Sequence, residues 1–282
     1  MKKKLVASLL LSGLVLGYTS TGVSAETTAT PAKTKAETEF TAGDRPDPSK
    51  PEEGPKDPNP LDPDPDPTDP TKPKPLPEAN NVYVTHLPDI SFGSNKTELK
   101  TTEYEALTEK RTQGQGATTF YMPHSVQVAD LSGNSETKWK LSVQQDGVFK
   151  TSDSTPEKLE NSRIRIYGNT LTSTAYAVAD LADKVAGIAL DQADEFGAYS
   201  TIPVQSDTQD ELVVLENKTA GFTLNSYTSS VFRDSYVEED YDATKSPTAA
   251  RYEGVRLNVP ASDQSQAKAY SADLTWTMTV EP

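Results

Sequence analysis

From residue 82 onward, apolar side chains recur at every second position in short runs. Val82 and Val84 open the series, followed by Leu87. Val126 and Val128 alternate with Ser125 and Gln127. Trp139, Leu141 and Val143 share one face, as do Ile164 and Ile166, and again Val255, Leu257 and Val259. The last run is the longest. Tyr270, Ala272, Leu274, Trp276, Met278 and Val280 face one way, and Ser271, Asp273, Thr275, Thr277 and Thr279 face the other. A period of two marks a half-buried β-strand, and the enrichment in Thr and Val agrees with it. Turn-forming stretches such as Leu131-Ser132-Gly133-Asn134 separate the runs. The Ala-rich stretch 173–192 is ambiguous. Gly187 and Gly197 favour strand with a short helix at most. The pattern predicts an all-β, β-sandwich-like single domain over 82–282.

The pattern is absent before residue 82. Lys2, Lys3 and Lys4 precede an apolar run from Leu5 to Leu16, and Val23-Ser24-Ala25 ends in small residues. This order predicts a secretory signal peptide over 1–25. The run is shorter than the roughly 20 residues a transmembrane helix needs, so no transmembrane anchor is expected. Residues 46–77 then hold 13 of the 21 prolines. Proline fixes φ and removes a donor, so helix and central strand are both disfavoured. Residues 26–81 are expected to be a disordered, acidic, Pro-rich spacer of polyproline-II character.

Composition narrows the chemistry. The chain carries 27 Lys and Arg against 42 Asp and Glu, a formal net charge of −15. Nucleic acid needs a basic surface and is not an expected partner. There is no Cys, which removes disulfides and thiolate chemistry. The two histidines, His86 and His124, are isolated along the chain and form no zinc-protease pattern. Asp62-Pro63-Asp64-Pro65-Asp66 resembles the start of a calcium loop, but Pro67 and Pro73 stand where Gly and Glu are required. Ser135-Glu136-Thr137-Lys138 matches Ser-x-x-Lys without its companion motifs. Carboxylate pairs are too common in this chain to single out a glycosidase. No enzyme activity, cofactor or metal is expected. Phe232, Tyr236 and Tyr241 lie among Glu238, Glu239, Asp240 and Asp242. This stretch reads as a solvated loop with anchoring aromatics, or alternatively as a contact surface for a protein or a cation.

Two separated tryptophan motifs carry more information. The first is Lys138-Trp139-Lys140-Leu141-Ser142-Val143. The second runs from Tyr270 through Leu274-Thr275-Trp276-Thr277-Met278 toward Pro282. Together they resemble the WxL domain of Gram-positive surface proteins, with its proximal Trp-x-Leu and distal Tyr-x-x-x-Leu-Thr-Trp-x-Leu. Leu87-Pro88-Asp89-Ile90-Ser91-Phe92-Gly93 and Val255-Arg256-Leu257-Asn258-Val259-Pro260 also fit the family. Met278 departs from its usual Leu, a swap that nearly conserves volume.

The resemblance implies non-covalent attachment to peptidoglycan in the Gram-positive wall, and a secreted, cell-surface location. Leu76-Pro77-Glu78-Ala79-Asn80 is only loosely like a sortase motif and is not expected to act as one. Trp139 and Trp276 read either as core residues or as platforms for sugar rings. The family residues Trp139, Leu141, Tyr270, Leu274, Trp276 and Met278 are therefore candidates for binding or for the core. An alternative is an adhesin or surface-complex subunit, whose β domain binds another surface protein or host matrix. A wall hydrolase is the third class, and it would release muropeptides.

Overall fold

The computed structural model describes residues 52–53, 60–65, 68–69, 71–74, 76–114, 116–208, 210–236, 244–263 and 265–281. The signal peptide expected over 1–25 lies outside these residues, as do 26–51 of the spacer and the acidic cluster 238–242 with Tyr241.

Alternating runs become antiparallel strands wherever they find partners. One five-stranded sheet has the order Gln192–Asp194, Gly197–Thr201, Arg163–Ile166, Arg251–Val259, Thr102–Leu107. A second runs Thr170–Ser173, Ser226–Val231, Ser125–Asp130, Val82–His86, Glu78–Ala79. A four-stranded sheet runs Val185–Ala186, Leu212–Asn217, Lys138–Gln145, Leu274–Glu281. The inward residues of all three meet in one core. Val84, Val126 and Val128 come from the second sheet, Trp139, Leu141 and Val143 from the third, and Ile164, Ile166 and Val255 from the first. The fold is all-β and sandwich-like, as the sequence pattern predicts. Among the described residues, no helix is long and apolar enough to cross a membrane.

Three local outcomes differ from expectation. First, the final strand is Leu274–Glu281, not eleven residues. Upstream of it, Ser271 leaves the sheet and exchanges two 2.9 Å backbone hydrogen bonds with Lys150. Second, the 173–192 stretch is mostly irregular chain, with a single helical turn, Val178–Leu181, whose Leu181 is buried, and a short strand, Val185–Ala186. Asp183, at φ 65°, turns the chain out of the helical turn.

Third, the described part of the expected spacer packs on the domain. Asn80 and Asn81 adopt φ of 50° and 59°, the conformation of a two-residue hairpin turn. That turn folds Glu78–Ala79 back onto Val82–Tyr83. Further upstream, the backbone at Leu61 pairs with Gln113 in the strand Glu109–Gln113. The Leu61 side chain is buried in a satellite cluster with Phe120, Met122, Val231 and Tyr236. The described residues among 60–79 thus form a strap along the domain.

Gly254 marks the tightest backbone approach in the first sheet. The ladder between Arg251–Val259 and Thr102–Leu107 slips register between Tyr252 and Arg256, a bulge in which Gly254 sits. A Cβ there would stand 1.9 Å from the Phe232 carbonyl oxygen. Gly254→Ala is expected to destabilise the fold by about 1–3 kcal/mol. Urea unfolding checks this: the midpoint should fall with little change in slope.

Candidate functional site

The two tryptophan motifs, far apart in the chain, are neighbouring strands in the structure. Met278 pairs with Leu141, Trp276 with Val143, and Val280 with Trp139. Directly paired residues of an antiparallel ladder point to the same side, so both motifs contribute to one face. Their environments nevertheless differ. Lys138–Gln145 is central, flanked by Leu212–Asn217 and Leu274–Glu281. Leu274–Glu281 is the edge of its sheet, and Leu274, Trp276, Met278 and Val280 remain half-buried.

Trp139 is 1% exposed. An indole N–H removed from water needs an acceptor. It donates to Thr223 Oγ1 at 3.0 Å and to Asp130 Oδ2 at 3.3 Å. Asp130 is itself fully buried, and its carboxylate accepts from the Thr223 hydroxyl at 2.7 Å and the Ser132 hydroxyl at 2.7 Å. Trp139 and Leu141 are thus both sealed from solvent.

The second motif borders open space. A groove of about 1360 Å³ runs between residues 87–97 on one side and residues 265–274 on the other. Tyr270, Leu274 and Trp276 line it, with Tyr104, Phe149, Ile164 and Leu257. The Leu87-Pro88-Asp89-Ile90-Ser91-Phe92-Gly93 stretch forms the opposite wall. Arg251 secures that wall, donating to the carbonyls of Phe92 at 3.2 Å and Ser94 at 3.3 Å. Polar groups gather along its length. Lys74 reaches Asp89 at 3.0 Å, Lys268 reaches Asp153 at 3.1 Å, and Asn95 and Gln266 add amides. The Lys268 ammonium holds the Asp153 carboxyl below the usual carboxylate range. The groove thus combines apolar and aromatic side chains with polar ones, and of its bordering lysines Lys74 and Lys268 have carboxylate partners.

A family model described as WxL domain surface cell wall-binding matches residues 27–282. The chain belongs to the WxL family. That family is one of cell-wall-binding surface domains, so membership ties this chain to the cell wall and cell surface. No curated protein and no solved structure matches it. Within this WxL domain, Met278 fills the usual Leu position beside Leu141.

Sequence reading passed over several groove residues. Tyr104, Phe149 and Leu159 sit in strands with no clear alternation, so nothing in their neighbours pointed to a shared cavity. It also treated His86 and His124 as isolated. Both are buried, and both lie in the field of the same Glu109 carboxylate. Phe232 and Tyr236 are buried, in agreement with their reading as anchoring aromatics.

The two tryptophans should separate experimentally. Trp139→Ala is expected to cost about 3–5 kcal/mol, because it empties a core site and strands buried polar partners. Trp276→Ala, at a half-exposed site, should cost about 1–2 kcal/mol. Equilibrium denaturation of both variants measures the contrast.

Proposed function

We propose that this WxL domain holds a secreted protein on the Gram-positive wall by adsorbing peptidoglycan into the 87–97/265–274 groove, without forming or breaking a covalent bond. One observation carries this reading. In this member of a cell-wall-binding family, the Trp of the first motif is sealed in the core and the Trp of the second lines an open groove. That contrast supports the second motif as the ligand contact.

The chemistry suits a glycan strand with its peptide stems. Sugar rings present apolar faces to aromatic walls such as Tyr270, Trp276 and Tyr104, while Asn95 and Gln266 offer amides to hydroxyls and stem peptides. The ligand is a polymer, so a groove of about 1360 Å³ lets several weak contacts act together. With a net charge of −15, the chain has little general attraction for anionic wall polymers, and selectivity rests on the groove. The signal sequence would deliver the protein to the outer surface, and adsorption would keep it there.

The test is co-sedimentation of the chain from Glu26 onward with protein-free, teichoic-acid-stripped peptidoglycan sacculi. Saturable pelleting is expected. Trp276→Ala and Tyr270→Ala should each weaken it about 10- to 30-fold with an unchanged circular dichroism spectrum. Failure to pellet with sacculi, alongside protease-sensitive retention on intact walls, would transfer the role to a protein partner. Muropeptide release from the sacculi would instead reveal a hydrolase.

A further inference from the structure

Ionisable side chains distant in sequence close on one another beneath the strap. His86 is 1% exposed. Its Nδ1 lies 2.9 Å from Asp64 Oδ2, and its Nε2 lies 3.1 Å from Glu109 Oε2. Ionised carboxylates only accept hydrogen bonds, so a ring that serves both must donate from both nitrogens, as an imidazolium. Arg111, 2% exposed, adds a second cation beside the two carboxylates. Among the described residues, two carboxylates and two cations thus offset one another, which is how buried cations are tolerated.

This cluster connects to the groove along two paths. Glu109 Oε1 accepts the Asp89 amide at 3.2 Å, and Asp89 belongs to the groove wall that starts immediately after His86. Asp64 belongs to the strap. Its carbonyl accepts the Lys74 amide at 2.8 Å, and the Lys74 ammonium returns to Asp89 Oδ1 at 3.0 Å. Strap, His86, Glu109 and wall form a closed circuit. The ladder between Val82–His86 and Ser125–Asp130 shifts register between Val84 and His86, and the bulge changes the aim of the His86 ring.

We infer that His86 is a positioning residue for the groove: it ties the strap through Asp64 and the wall through Glu109, and so holds residues 87–97 at the spacing that admits a ligand against Trp276. This rests on the groove being the wall-ligand site.

The circuit has a pH range of its own. Burial and the Arg111 charge work against the imidazolium, but Glu109 and Asp64 prevail and push the His86 pKa from 6.5 up to about 9. A raised pKa gives stability that is complete below 6.5 and lost as pH rises through about 9. Burial opposes the ionised forms of Asp64 and Glu109 too. The His86 charge outweighs it and holds both carboxyls below their ordinary values, so their contribution is lost only in acid. His124, packed on the Tyr252 hydroxyl at 2.6 Å, is kept neutral mainly by burial and has the opposite sign, weakening the fold below 6.5. Among the described residues, Lys74 and Asp89 also border the cluster, Glu253 and Arg233 act on Tyr252 beyond His124, and Gln127 on the paired strand is uncharged. A decline between about 6.5 and 9 therefore belongs to His86.

The experiment uses the chain from Glu26 onward, as wild type, Asp64→Asn and His86→Gln. Sacculi pelleting and amide hydrogen exchange of the ligand-free protein are followed from about pH 6 to about pH 9.5, a range that brackets the His86 titration. Wild-type pelleting should weaken by up to about fourfold across it, the limit set by the fraction of protein still protonated at the upper end. Protection of the Lys74 and Asp89 amides should fall with the same midpoint. Asp64→Asn removes one carboxylate that retains the proton, so its midpoint should move to lower pH. His86→Gln should bind weakly with no midpoint in this range. A wild-type response flat in both readouts would overturn the inference, and so would an unmoved midpoint in Asp64→Asn. Amides that open with pH while pelleting stays constant would overturn it as well, leaving the wall-ligand reading intact. A wild type that pellets at no pH would sink the wall-ligand reading and, with it, the assigned ligand role of His86.

Discussion

The central constraint of this domain is the satisfaction of the Trp139 indole. A large aromatic sealed from water contributes heavily to the core, but only if its N–H finds an acceptor. Asp130 and Thr223 supply one, and they come from the end of the Ser125–Asp130 strand and the turn before Ser226–Val231. One side chain thereby locks the third sheet to the second. With Trp139 in place, Lys138–Gln145 becomes a central strand, and Leu274–Glu281 is laid along it in a single register. The edge position of that last strand follows, and with it the half-exposure of Trp276 that opens the second motif to the groove.

A second constraint is electrostatic. The chain has an excess of acidic groups, yet the buried cations His86 and Arg111 meet the half-buried carboxylates of Asp64 and Glu109 where the strap crosses the domain. Removing one partner from such a cluster leaves an uncompensated charge, which makes the pairing demanding in geometry and selective for a single arrangement. The strap is held by this cluster at one point and by the buried Leu61 at another. A segment rich in proline has few backbone donors, so side chains supply much of its attachment. Where backbone bonds do occur, Pro77 contributes only its carbonyl, which accepts the Val84 amide at 3.0 Å.

The groove combines both constraints. One wall descends from the motif strand, whose position Trp139 sets, and the other from the segment that follows His86. On the proposed reading, binding and stability are carried by neighbouring but separate residues: a sealed tryptophan for the fold and a half-buried one for the surface. A wall-attachment module benefits from that separation, because the exposed aromatic side can meet a polymer without taking packing from the core.

The sequence by itself determined the all-β class, the strand faces around Trp139, Ile164 and Val255, and the two motifs of the WxL family. Each of these rests on period-two alternation or on a short local pattern, which a single stretch of chain displays. The strand Ser226–Val231 was not legible, because its inward positions Thr228 and Ser230 are polar and their burial is imposed by Val126 and Val128 opposite. Tertiary structure alone decided which tryptophan is sealed, since both lie on apolar strand faces and only sheet order separates centre from edge. It alone brought Asp64, His86 and Glu109 together, because hydrogen bonds across 22 and 23 residues leave no trace in local composition. It also drew part of the proline-rich segment onto the domain, since a buried charge pair and one buried leucine can hold a chain whose composition reads as open spacer.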